Sequence, residues 1–238
     1  MFRKLRLFVG GAGLLLAMSF ASMSHASILV PGSTAFPDVF TAPSGAVLLA
    51  SISAPWVDSG STMSGTEETA VFLDPTNVLC AGCLDFMYQV SNNPSSTDSI
   101  ARLTAINFTG FSTDVGFITN GSALPGGLFV TGTATPGLAD RNSAGDVVGF
   151  TFDYPVVLDE VGPGETSLVL VIETNAKNFA AGHDNLIDGG VTTLSAFEPT
   201  AAVPEPASWA LMIAGVGAVG LSLRVARRHR GPKVLLAT

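Results

Sequence analysis

Cys80 and Cys83 are the chain's only cysteines, and they stand three apart in the string Cys80-Ala81-Gly82-Cys83. That spacing serves a redox pair, half of a zinc site, a haem attachment or a local disulfide. Haem attachment needs a histidine next, and Leu84 stands there. Zinc needs two further ligands. His25 and His229 lie near the chain ends, so only His183 and carboxylates remain in the middle. A redox pair normally opens a helix in a βαβ setting, whereas these residues precede a strand-like run. In an oxidising compartment the expected state is a Cys80–Cys83 disulfide closing a tight loop.

The carboxylates raise a hydrolase reading. Glycoside hydrolysis needs two acids held across a cleft, and Glu67-Glu68, Asp159-Glu160 and Glu173 are the nominal candidates. None stands in a recognisable motif, and the expectation for them is solvated surface positions. Serine chemistry lacks a Gly-x-Ser-x-Gly elbow and has only His183 as a base. Catalytic residues are therefore expected to be none. The metal reading is calcium in His183-Asp184-Asn185-Leu186-Ile187-Asp188-Gly189-Gly190, with Asp184 and Asp188 as oxygen ligands. The string departs from the EF-hand pattern at Leu186 and lacks its closing Glu. An Asp188-Gly189 β-turn explains the glycines without an ion, so no cofactor is expected. Trp56 is the candidate for an exposed sugar platform, with core packing as its alternative.

The charges are segregated. The chain has 238 residues and a formal net charge of −8. Between residues 27 and 203 there are three basic residues (Arg102, Arg141, Lys177) against eighteen acids, a net charge of −15. Nucleic-acid binding by that region is excluded, because it requires a basic face. The remaining basic residues flank the ends. Arg3, Lys4 and Arg6 precede an apolar run from Leu7 to Met18. Twelve residues are too few to span a bilayer of about 30 Å, so the run reads as a signal peptide. Ser24-His25-Ala26 places small residues where a signal peptidase cuts, predicting cleavage between Ala26 and Ser27. At the other end a second apolar run, Ala207 to Leu223, reads as a transmembrane helix about 25 Å long. Arg224, Arg227, Arg228 and Arg230 follow it and hold that end in the cytoplasm. Just before the helix, Pro204-Glu205-Pro206 forces an extended, accessible backbone.

This tail, VPEPASWALMIAGVGAVGLSLRVARRHR, resembles the PEP-CTERM sorting signal of Gram-negative bacteria. A Pro-Glu-Pro motif, a single apolar helix and an Arg-rich end stand in fixed order from residues 203 to 230. The resemblance implies processing by an exosortase, a membrane-embedded cysteine-type enzyme, with Pro204, Glu205 and Pro206 as substrate residues. It implies transient anchoring in the inner membrane and then a cell-surface or extracellular product, associated with exopolysaccharide or biofilm. One departure is the extension Gly231 to Thr238. The body is also similar to an uncharacterised exported domain of that group, through Cys80-Ala81-Gly82-Cys83-Leu84-Asp85-Phe86, Tyr88-Gln89-Val90 and Ile172-Glu173-Thr174-Asn175-Ala176.

The elements that must position these residues read as β. Short Val, Ile, Phe and Thr runs alternate with Gly, Pro, Asn and Asp. Strands are predicted at Ala46–Ser53, Thr69–Leu73, Leu84–Ser91, Ile100–Phe108, Val115–Thr119, Leu128–Thr133, Val147–Asp153, Ser167–Glu173 and Val191–Phe197. Phe86, Tyr88 and Val90 share one face of their strand. Leu168 to Ile172 are all apolar, as in a strand buried on both faces. The fold class is all-β, a β-sandwich of jelly-roll-like or Ig-like type. The expected organisation is a signal peptide (1–26), an exported β-sandwich (27–198), a linker (199–203), the sorting signal (204–230, helix 207–223) and a tail extension (231–238). The functional expectation is a non-enzymatic exported surface or matrix protein. Its partners are a signal peptidase, an exosortase and exopolysaccharide. The alternative is a carbohydrate-active hydrolase or carbohydrate-binding module on the same scaffold.

Overall fold

The computed structural model describes residues 28–155, 160–201 and 212–216. The signal peptide with its Ala26–Ser27 site, the Pro204-Glu205-Pro206 motif, the Arg224–Arg230 cluster and the tail extension lie outside the described residues. Residues 212–216, within the expected membrane helix, are helical. Among the described residues no helix is long and apolar enough to cross a membrane.

Among the described residues, twelve strands form two six-stranded sheets. The first contains β1 (Thr34–Ala35), β8 (Leu138–Arg141), β9 (Val148–Thr151), β6 (Arg102–Ala105), β11 (Asn178–Asp188) and β12 (Gly190–Thr200), in that spatial order. The second contains β2 (Asp38–Phe40), β7 (Thr113–Ile118), β10 (Val169–Thr174), β5 (Cys83–Asn92), β4 (Ser64–Asp74) and β3 (Val47–Val57). Pairings between neighbours are antiparallel except β2 with β7. Pro55 and Pro199 sit in the outermost strands β3 and β12, where a missing N–H costs no ladder bond on the open side.

Strand alternation decides what each face buries. Phe86, Tyr88 and Val90 of β5 and Leu170 and Ile172 of β10 meet Leu103, Phe150 and Leu186 of the first sheet in one core. The opposite face of the second sheet carries a separate cluster of Ala70, Phe72, Met87, Val169 and Val171, closed by Leu124, Leu128 and Phe129. Hence β10 and β7 are buried at every position, as the all-apolar run 168–172 requires.

Three sequence expectations change. Leu128–Thr133 is not a strand; it lies over the second sheet's outer face, where Phe129 is buried. Gln89 of β5 donates to Val130 O and accepts from Val130 N, both at 2.9 Å, so a side chain satisfies the backbone that a neighbouring strand would have paired. No strand is predicted over residues 178–188, yet Asn178–Asp188 forms β11, the eleven-residue partner of β12. The turn itself falls at Gly189, whose φ of +60° suits glycine, next to Asp188. Finally, β12 runs to Thr200, two residues past the expected domain end.

Candidate functional site

Six acids among the described residues are buried: Glu67, Asp74, Asp85, Asp114, Glu173 and Asp184. This overturns the solvated-surface expectation for Glu67 and Glu173. Glu68 faces outward from β4 and accepts a 2.8 Å bond from Ser53 Oγ. Glu160 is half-buried, and Asp159 lies outside the described residues.

Register assembles four of the six into a row on the second sheet's outer face. Glu173 of β10 stands opposite Asp85 of β5 on one side and Asp114 of β7 on the other. Asp85 stands opposite Phe72 of β4, and Asp74 follows two residues later on the same face. Asp74, Asp85 and Glu173 each bring an oxygen within 4.8 Å of the others. They line a cavity of about 530 Å³, walled by Phe40, Val78, Met87 and Ile118, with Asp38 also in its lining.

The loop between β4 and β5 folds over this cluster. Thr76 donates to Asp74 Oδ1 through both its backbone N (2.6 Å) and its hydroxyl (2.7 Å). Asn77 Nδ2 donates to Asp85 Oδ1 at 2.7 Å and to Thr174 O at 3.2 Å. Its Oδ1 accepts from the backbone N of Leu79 and Cys80. Val78 N donates to Glu173 Oε2 at 3.0 Å. Cys80 and Cys83 are joined in a disulfide, with Cα atoms 5.5 Å apart, at the end of this loop. Gly82 takes φ +71°, and its N donates to Asp74 O, seating the disulfide loop beside the acids.

Three carboxylates at this distance cannot all stay charged in a buried site. Burial, then the Glu173 and Asp74 carboxylates, raise Asp85 to about 9, against the single opposing bond from Asn77. Burial raises Glu173 to about 7, partly offset by the Val78 N–H. The cluster can therefore hold protons, or oxygen-ligate a hard cation such as calcium. For glycoside hydrolysis, two carboxyls normally stand about 5–9.5 Å apart across a cleft. Here three crowd together beneath a loop.

The expected calcium residues do not converge. Asp184 points into the core from β11, while Asp188 ends that strand, about 13 Å further along. Asp188 instead meets Asp98, Asp153 and Asp58, and partial burial, then their repulsion, raises it. His183 is exposed on the strand's other side. Trp56 is buried in the core, so it offers no sugar platform. Sequence reasoning missed Asp74, Asp85 and Asp114. The available signal was that Asp85 and Gln89 interrupt an otherwise apolar strand on the face opposite Phe86 and Tyr88.

Downstream of β12, residues 202–228 match the family model of the PEP-CTERM protein-sorting motif. The chain carries a PEP-CTERM sorting motif. This marks it as an exported exosortase target that passes through a membrane-anchored stage before processing. The PEP-CTERM match ends two residues short of Arg230 and leaves the β domain outside it. No curated protein and no solved structure matches the chain.

Proposed function

We propose that this is a non-enzymatic surface or matrix protein whose β-sandwich domain is released or attached at the cell surface after exosortase cleavage near Pro204–Pro206, and associates there with exopolysaccharide. The observation that carries the reading is the sorting motif at residues 202–228, directly after an acidic all-β domain. The acids of the outer-face row lie on the second sheet, whereas His183, on β11, belongs to the first. Their geometry favours holding a proton or cation over turning over a sugar. A cation bridged between an acidic domain and anionic polysaccharide would give an association that weakens with salt and chelator.

Replacing Pro204, Glu205 and Pro206 together by Ala tests the sorting half. The variant is expected to stay in the membrane fraction at full mass, and normal release would refute it. Co-sedimentation with polysaccharide extracted from the host tests the binding half. Retention that calcium increases supports it, and no retention refutes it. Shortening of the polysaccharide during incubation would favour the hydrolase alternative.

A further inference from the structure

Two of the six buried acids take no part in the outer-face row. Glu67 lies on β4 of the second sheet and Asp184 on β11 of the first, and both point into the core between the sheets. Their exposures are 1% and 0%. Their four carboxyl oxygens are buried without a donor from any other side chain among the described residues. The two carboxyls stand within hydrogen-bonding reach of each other, and the Asp184 backbone N–H bears on its own carboxyl. Neither described arginine reaches them. Arg102 pairs with Asp140, and Arg141 is bonded to backbone carbonyls and Thr113. Two carboxylate anions in contact in a core repel at low dielectric and leave most of their lone pairs unmet. One proton removes the repulsion and supplies a strong charge-assisted bond.

We propose that Glu67 and Asp184 share one proton and thereby form a pH-sensitive latch between the two sheets. Glu67 is the donor. Burial and the facing Asp184 carboxylate push it well above the usual range. Asp184 is the acceptor, raised by burial but held back by the bond from Glu67. The surrounding groups fit this assignment. Tyr88 of β5 is buried beside the pair, donates to Phe197 O at 3.4 Å, and is pushed upward by burial and both carboxyls. Glu68 of β4 adds repulsion to Glu67. His183 of β11 acts on Asp184 in the favourable sense. β3 has no titratable side chain, Arg102 of β6 faces Asp140, and Glu198 of β12 is bonded to Asn107. Thr69, two residues from Glu67 on the same face, has a buried hydroxyl without a partner. Two carboxyls and one hydroxyl in an apolar core fall short of the roughly six to eight oxygens calcium takes.

The folded chain then holds one proton that the unfolded chain releases above about pH 4. Stability from this pair is complete below that value and falls as pH rises toward the pair's own titration. One proton corresponds to about a tenfold rise in the unfolding constant per pH unit.

The test is urea unfolding of the full chain in mild detergent, followed by tryptophan fluorescence with Trp209 replaced by Phe in every protein so that Trp56 reports alone, for wild type, Glu67→Gln and Asp184→Asn. Either amide donates to the remaining carboxylate without a titrating proton. The variants are expected to match wild type near pH 4, and to lose about one tenfold step per pH unit of its pH dependence between pH 5 and 7. Parallel profiles would overturn the latch. Should the variants not fold, infrared spectra of wild type labelled with ¹³C in glutamate side chains decide. A protonated carboxyl band persisting at pH 8 supports the latch, and its absence overturns it. Calcium-dependent stabilisation that Glu67→Gln abolishes would also overturn it, by assigning the pair to a metal.

Discussion

Asp85→Asn isolates the energetics of the outer-face cluster. In the folded chain Asp85 holds its proton to about pH 9, against 3.8 for an ordinary aspartate. A raised folded value means its contribution is fully present below about pH 4 and is lost as pH climbs toward 9. At pH 7 the unfolded chain has released this proton and the folded chain has not. That gap spans about three pH units at about 1.4 kcal/mol each, so ionisation of the unfolded state costs the fold about 4 kcal/mol. The amide is isosteric. It accepts from Asn77 Nδ2 as Asp85 Oδ1 does, and it donates toward Asp74 as the protonated carboxyl does. Urea unfolding of both proteins from pH 4 to pH 8 is the assay. Asp85→Asn should equal wild type at pH 4 and exceed it by up to about 4 kcal/mol at pH 7. A residual slope up to about pH 7 will remain from Glu173. A variant less stable than wild type at pH 8, with calcium-dependent unfolding of the wild type, would refute the proton account and give these carboxyls to a cation.

Arg141→Met should cost about 3–5 kcal/mol in chemical denaturation, because the buried guanidinium serves carbonyls of Leu29, Phe108, Phe111 and Gly145 and the Thr113 hydroxyl. Hydrogen exchange at Leu29, whose N–H donates to Thr113 O, should rise more than exchange in β10. Replacing Cys80 and Cys83 together by Ser should cost no more than about 2 kcal/mol in the same assay, because the cross-link closes a loop only three residues in separation.

The parts of the fold legible in sequence were those where one residue's type settles its environment. Leu168 to Ile172 are apolar without exception, and Val169 to Ile172 form the start of β10, a strand covered on both sides. Phe86, Tyr88 and Val90 announced the inner face of β5 by alternation alone. β11 was illegible because Gly182, His183, Asp184 and Asn185 interrupt its apolar alternation with polar and small residues. They are tolerated in a strand because Asp184 finds Glu67 across the core, a contact between residues 117 positions apart. Leu128–Thr133 misled in the opposite direction. Its apolar side chains pack on Phe72 and its backbone bonds to a glutamine side chain, so it looks like a strand without being one. The carboxyl row was invisible for a related reason. Asp74, Asp85, Asp114 and Glu173 are scattered along the chain, and only the register of four strands brings them to one line. The sorting motif was fully legible because its signal is local: two prolines around an acid, one apolar run and a basic end.

Intact mass of the protein recovered from medium and envelope of its host tests the sorting account most directly. The account predicts a product that begins near Ser27 and ends near Pro204–Pro206, with any attached group added to that mass. A product that retains the chain through Thr238 in every fraction would contradict it, and would make the tail a permanent anchor.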